Sequence, residues 1–207
     1  MLLSNNWFYT AVLFFSVLFA FSCNEKEKDV PINKIDLSTP ESALREAKKI
    51  LGNDVQVSLT GTFDADTTKE LVAGTEINKP DKWGIQFHLL KKGKESFDSS
   101  YSTDLLEGSF TDALVRKEKL PSENYDMVYY NSLDYYLGSG GGEVFSYLVD
   151  FKNRQTYYAH LFTEQGRNIS LFLSENATPD IKNFFLNVFK KDYRNLKIVN
   201  KDVDLDE

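Results

Sequence analysis

The spacing of apolar residues along this chain changes period twice, and that change limits the fold more than any other feature. In "STPESALREAKKILGND", Ala43, Leu44, Ala47, Ile50 and Leu51 fall on one helical stripe, with Thr39 as N-cap, Pro40 in the first turn and Gly52 closing the segment. At Val55 the period drops to two. Val55, Val57 and Leu59 alternate with polar neighbours, and "KWGIQFHLLKK" sets Trp83, Ile85, Phe87 and Leu89 on one face. "EVFSYLVDF", "TYYAHLFT" and "NISLFLS" then read as a meander with short links, "KNRQ" and a turn at Gly166, so neighbouring strands run antiparallel. In "DLLEGSFTDALVRKEKL" the pattern favours two strands turning at Gly108 over a strand and a short helix. After Thr178 and Pro179 the helical period returns, placing Ile181, Phe184, Phe185, Val188 and Phe189 together and two lysines near the C-terminal end.

These segments predict an α+β fold: an antiparallel, curved β-sheet of about seven strands, with an N-terminal and a C-terminal amphipathic helix packed on one face. A barrel with appended helices is the other arrangement they allow. The folded part, 38–199, is long enough for one core and short for two.

Ahead of it lies "WFYTAVLFFSVLFAFSCNEKEKD". The uncharged block from Trp7 to Phe21 is shorter than the roughly 20 residues a membrane-crossing helix needs. It ends at the chain's single cysteine, Cys23, with the small residues Ala20 and Ser22 just before it. This order resembles the lipobox of bacterial lipoproteins, although residues 1–22 carry no lysine or arginine and Phe19 and Phe21 are bulky for such a motif. The resemblance implies removal of residues 1–22, a diacylglyceryl group on the sulfur of Cys23 and acylation of the new amino terminus. Residues 23–37 then form a charged, flexible tether, and about 14 such residues span around 20 Å. Acidic and lysine residues directly behind the cysteine are similar to surface lipoproteins of the Bacteroidota. The expected location is therefore the bacterial cell envelope, with the outer membrane as anchor and either face open. Residues 200–207 form an acidic tail.

A net charge of −7 argues against nucleic acid as a partner, because affinity for phosphate backbones comes from lysine and arginine. With Cys23 acylated no thiol remains to pair, so the fold must stand without disulfides. No motif calls for a cofactor.

Two stretches invite a functional reading. In "YYNSLDYYLGSGGGEVF" four glycines stand among five residues soon after Tyr135 and Tyr136, and a strand rather than a helix follows, so a phosphate-cradling loop is not expected. Leu137 stands where a nucleophile elbow around Ser139 would need glycine. The bland reading is a hairpin tip. The functional one is a contact surface built from Tyr129, Tyr130, Tyr135 and Tyr136, since tyrosine offers apolar area and a hydroxyl at low entropic cost. In "GTFDADTTKELVAG", Asp64, Asp66 and Glu70 offer alternate oxygens to a cation such as calcium, opposed by the charge of Lys69; the bland reading is a polar turn. His88 and His160 each sit alone in a strand and read as face residues. No acid and base stand out, so no catalytic residue is assigned. The chain is expected to be a lipid-anchored binding or accessory module whose partner is an envelope protein or a glycan. The alternative is a membrane-tethered hydrolase acting on envelope or environmental glycans.

Overall fold

The computed structural model describes residues 35, 37–65, 68–94, 96–133, 135–136, 141–164, 168–192 and 196–198. The apolar block, Cys23 and nearly all of the tether lie outside the described residues. Helix α1, Pro40–Leu51, starts as the sequence predicts. The Thr39 hydroxyl accepts the Ser42 N–H at 3.1 Å, and the Ser42 hydroxyl accepts the Thr39 N–H at 3.2 Å.

Four strands follow: β1 (Val55–Gly61), β2 (Glu70–Lys79), β3 (Lys82–Lys92) and β4 (Phe97–Ser102). They form an antiparallel sheet in chain order. Next come β5 (Leu114–Glu118), β6 (Met127–Asn131), β7 (Tyr135–Tyr136), β8 (Gly141–Asp150), β9 (Gln155–Glu164) and β10 (Asn168–Leu173). Helix α2 (Pro179–Asp192) and β11 (Leu196–Ile198) end the order. These later strands make a second sheet of seven, ordered β11–β10–β9–β8–β6–β5, with β7 paired to β8. Among the described residues only β11 runs parallel to its neighbour, and α2 supplies the crossover that a parallel return requires.

The α+β class holds, but the expected single sheet with both helices on one face does not. Two sheets are stacked face to face, with a helix on each outer side. Val72, Ile85, Phe87 and Leu89 of the first sheet meet Val128, Tyr130, Tyr147 and Val149 of the second. Helix α1 lays Ala43 and Ala47 on Val55, Leu71, Ala73 and Leu90 behind the first sheet. Helix α2 lays Ile181, Phe185 and Phe189 on Met127, Tyr129, Leu148 and Leu171 behind the second.

The sequence signal for two layers is that β2 and β8 are apolar on consecutive positions, as a strand covered on both faces must be. Val55, Val57 and Leu59 also divide: a register shift between Val55 and Val57 turns Val55 to α1 and the other two inward. Of the two strands expected across 104–120, only β5 forms. The preceding residues run as a loop that touches β3 through a single bridge, Leu106 to Ile85.

Candidate functional site

The loop after β4 is held by the core on three sides. Its Leu106 exchanges two backbone hydrogen bonds with Ile85, both 2.8 Å. The exchange depends on Gly84, whose φ is +142° and where a Cβ would strike the Leu106 carbonyl oxygen. The Tyr130 hydroxyl accepts the Ser109 N–H at 3.1 Å and donates to the Ser109 carbonyl at 2.8 Å. The Tyr147 hydroxyl lies beside the Glu107 backbone. The Glu76 carboxylate accepts the Ser109 hydroxyl at 3.0 Å and the Phe110 N–H at 2.9 Å. Burial pushes Tyr130 up to about 12 and raises Tyr147 as well, so both hydroxyls keep their protons. Phe110 then packs edge-on against Phe87 and Tyr130. A loop fixed by so many buried partners presents its remaining side chains in one geometry.

Those side chains line a cleft of ≈ 360 Å³ at one end of the inter-sheet core. Glu107, Ser109, Thr111 and Asp112 come from the loop, Trp83 from the start of β3, Ser132 and Leu133 from the residues that follow β6, and Phe145 from β8. Trp83 is 42% exposed and Leu133 47%. Asp112 and Leu133 both carry positive φ, 56° and 60°. For a bulky residue such as leucine this conformation is costly, about 1–2 kcal/mol, and surrounding structure must impose it. Here the Asn131 side-chain carbonyl accepts the Leu133 N–H at 2.6 Å, and Ser132 is pinned to Phe145 by backbone and hydroxyl bonds of 2.9 Å.

Behind Phe145 lies an ionisable group of unusual setting. The His160 ring stacks on Phe145 at 4.6 Å and has Phe162 and Phe172 close by. Its Nε2 is 3.5 Å from the Glu143 carboxylate, and neither ring nitrogen makes a hydrogen bond among the described residues. Glu107 feels this pair. Partial loss of water, then the Glu143 charge, hold its carboxyl above the usual carboxylate range, against the opposing pull of His160.

Leu133 also borders a second groove of ≈ 620 Å³, which runs between β5, β6 and α2 and includes Leu114, Arg116, Phe184 and Lys191. Among the described residues, the exposed large apolar side chains are Trp83, Leu133 and Leu114. All three border this joined surface.

The tyrosine surface expected from sequence falls partly outside the described residues. Tyr129 and Tyr130 are each 0% exposed and, as neighbours on β6, point to opposite layers, so both are core residues. Tyr135 and Tyr136 pair through β7 with Glu143 and Gly142, and their side chains lie outside the described residues. Of the cation site expected at Asp64, Asp66 and Glu70, two of the three carboxylates are described. The Lys91 ammonium sits against both Asp64 and Glu70. Glu70 is buried and accepts the N–H groups of Phe63 and Asp64 at 2.7 and 3.0 Å, which makes it a turn lock. Asp66 lies outside the described residues. Among the described residues no group of three or more His, Cys, Asp or Glu is placed to hold a metal. His88 is a face residue as expected, buried between the Thr75 and Ser102 hydroxyls at 2.8 and 2.7 Å, and burial lowers its pKa.

No family model, curated protein or solved structure matches the chain. The site therefore rests on its own geometry. Sequence reading missed Trp83, Glu107, Asp112 and Leu133. The period-2 pattern puts Trp83 on the core face with Ile85 and Phe87, and so it is, but at the strand's end the opposing sheet no longer covers it.

Proposed function

We propose that the chain is a lipid-anchored protein of the bacterial envelope whose folded part binds a glycan in the Trp83–Leu133 cleft. The observation that carries the binding reading is the gathering of Trp83, Leu133 and Leu114 on one continuous surface, with Leu133 held in a strained backbone conformation to stay there. A pyranose ring has an apolar C–H face and a polar rim. An exposed indole can stack on the first, and the Ser109, Thr111, Ser132 and Asp112 side chains can bond the second. The anchor rests on the short apolar block that ends at Cys23. Among the described residues no helix is long and apolar enough to cross a membrane.

Trp83 makes a direct test available, because Trp7 is the only other tryptophan. In a Trp7→Phe chain all tryptophan emission reports the cleft. Titration with envelope-type oligosaccharides should quench or shift that emission saturably. Emission that stays flat through a range of neutral, acidic and amino oligosaccharides would remove the glycan reading. The Glu107, Glu143 and His160 grouping favours a second reading, a glycan hydrolase, and in the same mixtures hydrolysis would appear as newly released reducing ends.

A further inference from the structure

The charge lining the cleft narrows the kind of glycan. Resting on the glycan-binding reading above, we infer that the cleft selects an amino-bearing, cationic sugar over its neutral N-acetylated counterpart.

The cleft has two carboxylates on its wall, Glu107 and Asp112, and no lysine or arginine among the described residues that line it. Several carboxylates elsewhere have cationic partners: Lys91 lies against Asp64 and Glu70, Lys117 against Asp126, and Arg116 against Glu118. Among the described residues neither Glu107 nor Asp112 has one. Glu143 is faced by His160.

An exposed indole beside unpaired carboxylates is the chemistry that recognises ammonium. The ring face attracts a cation through its quadrupole, and the carboxylates attract it through charge. A neutral ligand gains nothing from either carboxylate beyond ordinary hydrogen bonds. The loop is also locked through Glu76 and Tyr130, so the backbone that carries both carboxylates is set before the ligand arrives. Ordering costs little there, and discrimination is kept.

The test is calorimetry on the full chain at about pH 6 and low salt, where primary amines are protonated. The probes are glucosamine tetramer and N-acetylglucosamine tetramer. The amino form should bind about tenfold more tightly, and the ratio should shrink as salt rises. Glu107→Gln with Asp112→Asn should remove most of the amino form's advantage, leaving only what the Trp83 face supplies. Asparagine tolerates the left-handed backbone at 112, and an unchanged melting point confirms folding. Equal affinities for the two probes would overturn the charge selection and leave the glycan reading standing. A preference that survives the double substitution undiminished would take the selection away from the two carboxylates and overturn it too. Binding of neither probe, together with a flat Trp83 titration against other oligosaccharides, would overturn both.

Discussion

Phe185→Ala should destabilise the protein by about 3–5 kcal/mol, the range for removing a buried phenylalanine. Phe185 is 0% exposed, lies in the cluster that joins α2 to the second sheet, and has the Phe184 ring edge-on at 5.5 Å. Its removal costs the transfer energy of the ring and opens a void that the flanking Ile181 and Phe189 cannot close, because each is buried in its own contacts. At about 2–4 °C per kcal/mol for a chain of this size, the melting point should fall by roughly 6–20 °C. Thermal unfolding checks this. A loss below about 1 kcal/mol would mean that α2 does not cover the sheet.

Cys23→Ser should release the protein from membranes. Each buried methylene contributes about 0.8 kcal/mol, so two or three acyl chains make dissociation negligible and their loss removes attachment entirely. In a detergent phase separation the parent chain should partition with detergent and the variant with water. A variant that stays with the membrane after a carbonate wash would replace the lipid by an uncleaved helix over Trp7–Phe21.

Both helices were legible in the sequence because their signals are local. Thr39 and Pro40, Thr178 and Pro179, and two apolar stripes specify start and face without reference to the rest of the chain. The layering was not, because alternation reports whether one face of a strand is buried and is silent when both are. In β2, Leu71 and Ala73 serve α1 while Val72 serves the inter-sheet core. The site was less legible still. Trp83 and Ile85 carry the same pattern signal, and only the extent of the opposing sheet separates a covered residue from an exposed one. Glu107 and Asp112 meet Leu133 through a loop whose path is set by Gly84, Gly108 and the hydroxyls of Tyr130 and Tyr147, groups far apart along the chain. Tyr129 and Tyr130 drew notice for their composition and proved to be core, as aromatic residues in sheets most often are.

Calorimetry with glucosamine tetramer on the Trp83→Ala chain, paired with its melting curve, tests the central claim most directly. Trp83 is 42% exposed at a strand end, so its loss should shift the melting point by no more than about 4 °C, in line with surface substitutions. Binding should fall below detection, because the stacking face of the cleft is gone. Affinity equal to that of the parent chain would show that the cleft is not where the ligand sits.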